Sequence, residues 1–486
     1  MNKNSLIFAL TIGLAMSGCA SGGNDTATEE TTEANETTKT TSNTISKEDI
    51  TVDETYENSA DGEHAISVEG EEKTYENIQV NKTGNASGDE ADFYGENAAV
   101  FATEKGTLTI SKAIIETDGE HANGVFSYGE GTTVTISDSV IETSGNCSGG
   151  LMTTGGGTMI ASNLNIHTTG NSSAAIRSDR GGGDVYVTGG NYVTDGKGSP
   201  VIYSTANINV EDAYLESTAS QGVVVEGKNS VTLTNVDLVA DNNTHNSDKS
   251  DIYEAVMIYQ SMSGDAASGT SSFTMEGGSL TNENGDIFFV NNTACEINLT
   301  DVSIVNNDES GNFLTAKAAG WGKEGSNGGK VNMTLTDQKQ TGDITVDDVS
   351  VLNLYMNNST YEGAINTEGQ AGQVYVELDE GSTWKLTGDS YITGLTCDKD
   401  AIDLNGYTLY VNGEKYEEGS KSEGTAVEIV TESEGGMEPG DMEGHGPGDG
   451  SEPPEKPDGN EPPEKPDGNE PPEKPSESKT DSSTEA

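Results

Sequence analysis

A chain of 486 residues with 83 acidic and 24 basic side chains carries a formal charge of −59. Phosphate binding needs clustered Lys and Arg, so nucleic acid is excluded as a partner. Anionic polymers and lipid surfaces are disfavoured unless a cation such as calcium bridges them, and an acidic excess also keeps exported proteins soluble.

The chain opens with Lys3 and an apolar run, Leu6 to Met16, too short to span a bilayer as a mature helix. It ends in Met16-Ser17-Gly18-Cys19, which resembles the bacterial lipobox, with Met16 where Leu is usual. That resemblance implies a lipoprotein signal peptide over 1–18, a lipidated Cys19 as first mature residue, and a place on the outer face of the cell membrane, held by lipid alone. Residues 19–47 are rich in Thr, Glu, Asn and Ser and cannot bury a core, so a disordered tether is expected. Residues 48–105 are expected to form the N-terminal cap and first coils, with Tyr75 to Val80 as a strand.

Residues 106–340 hold the repeated unit. Leu108, Val134, Met159, Val185, Ile208 and Val231 begin successive copies, 26, 25, 26, 23 and 23 residues apart. Each copy carries three short alternating runs, such as Leu108-Thr109-Ile110, Ala113-Ile114-Ile115 and Val125-Phe126-Ser127, with Gly, Asn, Asp and Ser between them. That is the strand signal, and the runs are too short for helices. The period predicts an all-β fold: a single-stranded right-handed parallel β-helix, three strands per coil, with disordered tails. The Leu-x-x-Leu-x-Leu ladder of leucine-rich repeats is absent. Stacking predicts three core columns: Leu108, Val134, Val185, Ile208 and Val231; Ile110, Ile136, Val187, Val210 and Leu233; and Ile115, Ile141, Ile166, Val193, Leu215 and Leu238. Thr109, Thr135, Asn209 and Thr232 are expected to point outward.

Beyond Asn242 the step lengthens. The polar run Asp241 to Asp251 and the Gly/Ser run Ser261 to Ser272 read as insertions into turns. Residues 341–416 are expected to be the last coils and cap, closing near Val411. Residues 417–486 read as an acidic, Pro/Gly-rich tail, with Glu-Pro-Pro-Glu-Lys-Pro beginning at Glu452, Glu461 and Glu470.

The catalytic signals are fragments. Thr194-Asp195-Gly196, Asp347-Asp348 and Gly444-His445-Gly446 echo pieces of the inverting-pectinase set, without an Arg-Ile-Lys. No carboxyl pair at a fixed separation can be assigned from sequence, as glycoside hydrolysis requires. Cys147, Cys295 and Cys397 are far apart and odd in number, are read as unpaired, and fit no zinc spacing. No metal or cofactor is expected; calcium is suggested only by Gly181-Gly182-Gly183-Asp184.

Two features point to binding. Arg177 and Arg180, the only arginines in the chain, stand in Arg177-Ser178-Asp179-Arg180-Gly181. They are expected to pair with acidic ladders on adjacent coils and close a Gly turn; a binding role with Asp179, and lyase chemistry, are the alternatives. Second, if Val125, Leu151, Ile176, Ile202 and Val224 point inward, then Phe126, Met152, Arg177, Tyr203 and Val225 point outward, followed by Ile258 and Phe289. Exposed, this stripe would suit a sugar chain or a partner surface; an insertion or cap lying over it would bury it.

The stretch Trp384-Lys385-Leu386-Thr387-Gly388-Asp389-Ser390, with Ile402 to Gly413 after it, resembles the C-terminal coils of pertactin-like adhesin passengers. Residues 50 to 413 are similar to adhesin-like β-helix lipoproteins of anaerobic Gram-positive bacteria. The resemblance implies a surface protein that binds rather than cuts. No translocator barrel follows, which departs from the passengers. The expectation is a monomeric adhesin-like or carbohydrate-binding module facing an extracellular polysaccharide, or a host or neighbour-cell surface. A polysaccharide lyase near Arg177 and Arg180 and a structural spacer are the alternatives.

Overall fold

A computed structural model describes residues 44–245, 247–369 and 371–429. The expected signal peptide, Cys19, nearly all of the expected tether, the Pro-rich repeats and Gly444-His445-Gly446 lie outside the described residues. Within them the chain is a right-handed parallel β-helix. Among the described residues there is one α-helix, α1 (Asp89–Phe93), and no helix is long and apolar enough to cross a membrane.

Each coil presents three faces. In the coil that starts at Thr107, strand Thr107–Thr117 covers the first two faces and bends at Lys112, and Val125–Tyr128 forms the third. The bend is left-handed: Lys112 has φ 52°, and Asn77, Asp138, Asn163, Asp212, Asn235, Asp301, Asp337 and Asn358 repeat it on other coils. Asn and Asp tolerate this conformation best after Gly. Their side chains also bond from rung to rung: Asn163 Nδ2 donates to Asp138 Oδ1 at 2.6 Å and Asn358 Nδ2 to Asp337 Oδ1 at 2.5 Å.

The expected columns are in register. Leu108 pairs with Val134, Val134 with Met159, Met159 with Val185, and so on through Ile208, Val231, Phe273, Ile297, Met333, Leu354 and Val376. Every one of these side chains is buried. The third column differs at one place: Tyr192, not Val193, pairs with Ile166 and Leu215. Tyr192 is fully buried and its hydroxyl donates to Gly189 O at 3.2 Å, whereas Val193 aligns with His167 and Glu216 on the outer side. The ring fits because a Gly pair, Gly189-Gly190, makes the corner beside it.

A polar bracket closes the corner between the second and third faces. The motif Thr-x-Gly-x-x-Ser occurs at Thr143 to Ser148, Thr168 to Ser173 and Thr194 to Ser199. The backbone N–H of Ser148 donates to Ser173 Oγ and that of Ser173 to Ser199 Oγ, both at 2.9 Å. Within each coil the Thr hydroxyl donates to the Ser carbonyl, at 2.5 to 2.6 Å. These bonds satisfy buried backbone groups that the strand ladders leave behind. The glycines between them stack on one another: a Cβ on Gly170 would lie 1.8 Å from Gly145 O.

Both ends extend past their expected limits. Lys47 bridges Glu116 at 2.7 Å and Glu142 at 2.6 Å. Ile45 and Ile50 pack on Ile114 and Val140 of the second face. At the other end the chain turns back in an antiparallel pair, Leu409–Val411 with Glu414–Lys415. It then stays attached beyond Val411: Cys397 and Ser422 form an antiparallel bridge, and Val427 exchanges two hydrogen bonds of 2.9 Å with the Asn353 side chain. Ending the stack in turned-back chain leaves less open strand edge.

Candidate functional site

On the third face the register sets one outward column: Phe101, Phe126, Met152, Arg177, Tyr203, Val224, Met257, Phe289, Thr315 and Thr345. Val223 therefore points inward with Ile202, and Val224 outward with Tyr203. The expected outward places for Val225 and Ile258 are corrected: both lie on the inward side and belong to the main core.

Most of the column is roofed over. Phe126, Met152 and Phe289 are fully buried, and Val224 and Met257 nearly so. The first roof is the segment around α1. Gly95 lies flat on the rings of Phe101 and Phe126, where a Cβ would come within 2.7 Å and 3.0 Å of ring atoms. Tyr94 meets Tyr128 edge-on at 5.6 Å, and Thr154 Oγ1 donates to Phe93 O at 2.7 Å. The second roof comes from two insertions. Ile252, Ala319 and Trp321 pack on Val224, Met257 and Phe289. Asn327 Nδ2 holds it by donating to Ala319 O at 2.7 Å and Trp321 O at 2.8 Å. An apolar row that faced water would cost hydration free energy; the insertions in the long coils bury it.

Arg180 ties the first roof to a further insertion. Its Nη1 lies 2.9 Å from Asp89 of α1, its Nε 2.6 Å from Asp265 of an insertion, and its guanidinium 3.7 Å over the ring of Phe93. Arg177 pairs with Asp179 of its own coil at 2.8 Å. Burial opposes its charge, but the Asp179 carboxylate outweighs that and holds the guanidinium protonated. Neither arginine bonds an acidic ladder on an adjacent coil, as the sequence had suggested. Both guanidiniums are held in ion pairs.

Between the roofs Tyr203 is only partly covered. Its hydroxyl donates to Glu226 Oε2 in a short hydrogen bond, and Tyr259 donates to the same oxygen at 3.1 Å. Burial raises the Glu226 carboxyl, against hydroxyls of Ser261, Tyr203 and Tyr259 that favour its ionised form. Phe126, Met152, Arg177, Asp179, Arg180 and Tyr203 thus lie together on one face, with Phe126, Met152 and Asp179 buried and Arg177, Arg180 and Tyr203 partly covered.

The column emerges from the second roof at Thr345, one rung beyond the buried Thr315. There an open groove of about 390 Å³ runs across the coils. Asp251 and Tyr253 of one coil line it, with Asp286 of the next and Asp308, Ser310, Asn312 and Lys317 of the one after. Asn312 N–H donates to Asp286 Oδ1 at 2.7 Å, and Gly285 N–H to Asp308 Oδ2 at 2.9 Å. Tyr253 is backed by His245, stacked at 3.9 Å. No family model matches the chain. No curated protein matches it either. Sequence reasoning missed this groove because the bulk of its lining comes from turns and insertions, which lie outside the repeat that made the strands readable. The signal present was the insertion at Asp241 to Asp251, since repeat folds put such insertions on one, often binding, face.

Proposed function

We propose that this protein is an exported, lipid-anchored surface β-helix that binds a polysaccharide without cutting it, and that the groove over Thr315 and Thr345 holds the sugar. The observation that carries this reading is the lining of the groove. Carboxylates of Asp251, Asp286 and Asp308 can accept from sugar hydroxyls. The amides of Asn284 and Asn312, with Lys317, can donate to them, and the Tyr253 ring offers a flat apolar side. The formal charge of −59 favours a neutral glycan over an acidic one. The lipobox-like Met16-Ser17-Gly18-Cys19 and the likeness to adhesin-like lipoproteins support the surface location.

The test is a glycan array with the full chain, followed by calorimetric titration of the hits. Neutral oligosaccharides are expected to bind. Tyr253→Ala combined with Lys317→Ala should weaken binding at least tenfold while leaving the melting temperature within about 2 °C. An array without hits, or affinity unchanged in the double variant, would reject the groove as the site.

A further inference from the structure

His121 and Cys147 occupy the same corner position on successive coils, just before the third face. The His121 N–H donates to Asn146 O at 2.9 Å, and the Cys147 N–H to Asn171 O at 2.8 Å. Both backbones are left-handed, with φ 56° and 53°, as are Ser172 and Gly198 on the next coils. The shared conformation sends the two side chains out in the same direction. Helix α1 lies over this corner and brings Asp92 to it: Asp92 Oδ1 is 2.8 Å from His121 Nδ1. One ligating atom from each of Asp92, His121 and Cys147 lies within 4.8 Å of the other two.

We propose that Asp92, His121 and Cys147 form a binding site for a divalent transition-metal ion, with zinc the best fit. Thiolate, imidazole and carboxylate are together a zinc ligand set, whereas calcium takes oxygen ligands only. Charge balances locally. The Asp92 carboxylate and a Cys147 thiolate cancel the two charges of the ion. Arg177 faces both of them, but is neutralised by Asp179 at 2.8 Å, and Glu120 adds negative potential on the Cys147 side. Two tetrahedral ligands about 2.0 Å from zinc stand roughly 3.3 Å apart, so the Asp92–His121 contact opens by about half an ångström on loading. Three protein ligands leave a fourth position for water. The bound ion would join α1 to two coils and so fasten the first roof. The spacing that hid this site is the coil itself: His121 and Cys147 are 26 residues apart in sequence but neighbours in the stack.

The reduced full chain is titrated with Co²⁺ and then Zn²⁺. The expected result is one equivalent of Co²⁺ with a thiolate-to-cobalt charge-transfer band, displaced by Zn²⁺, and a melting temperature raised by several degrees with zinc. Cys147→Ser should abolish the band. Asp92→Asn, which leaves both coil ligands in place, should weaken binding at least tenfold. Absence of the band, a band that survives in Cys147→Ser, or unchanged affinity in Asp92→Asn would overturn the site. Cys19 is common to all these chains, so any signal it gives persists in Cys147→Ser and counts against the proposal.

Discussion

Single residues fix the spacing of the coils. Gly170 has no room for a methyl group, because backbone rather than a movable side chain would meet it. Gly170→Ala is expected to cost about 1–3 kcal/mol in urea unfolding, as overpacking does; a loss under 0.5 kcal/mol would show that the corner can widen. Glu254 makes a different prediction. It is buried, accepts one hydrogen bond of 2.7 Å from Gln221 Nε2, and burial pushes its carboxyl up to about 8. The native chain therefore holds a proton that the unfolded chain releases near pH 4.5. The stability this group gives is complete below that pH and is lost as pH rises through about 8. Melting temperature should fall between pH 5 and pH 8, and Glu254→Gln, which stays neutral, should flatten the fall. An equal slope in both proteins would place the titration elsewhere. Tyr192 shows the limit of reading residues one at a time. The five-residue interval that separates Ile136 from Ile141 also separates Val187 from Tyr192, but an aliphatic at Val193 is the more obvious core residue. Only the register shows that the phenol lies inside.

At the level of elements, the strands were legible because alternation and period are local signals that repeat. The roofs were not. Helix α1 spans five residues, and its place is set by Arg180, some ninety positions along the chain, through contacts that leave no pattern in sequence. The candidate residues Phe126 and Tyr203 were correctly placed outside the strand, but a strand's outer side becomes surface only where nothing lies on it. Phe126 is buried and Tyr203 partly covered, so both are expected to contribute to packing. Phe126→Ala with Tyr203→Ala should lower the melting temperature markedly, since truncating a buried Phe alone costs about 3–5 kcal/mol. Unchanged melting would return both residues to the surface. The groove was hidden for the same reason as the roofs, since insertions supply one of its walls.

For the molecule as a whole, the parallel stack makes stability approximately a sum over neighbouring coils. Columns such as Leu108 to Val376 run unbroken from coil to coil, even where an insertion lengthens the step along the chain. The step from Leu233 to Met275 is 42 residues, yet the two pair directly. The repeat sets the register, and the intervals between strands are free to carry function. The turn-borne groove, the two roofs and the proposed metal corner all use that freedom.

The parallel stack also fixes how far the groove projects. From Ile66 of the first third-face strand to Leu314 beside Thr315 the ladder climbs nine steps. At about 4.8 Å each, that is roughly 43 Å. Reach therefore comes in fixed increments, one coil at a time, and a longer or shorter stack would set the groove at a different distance from its N-terminal end without altering the groove's lining.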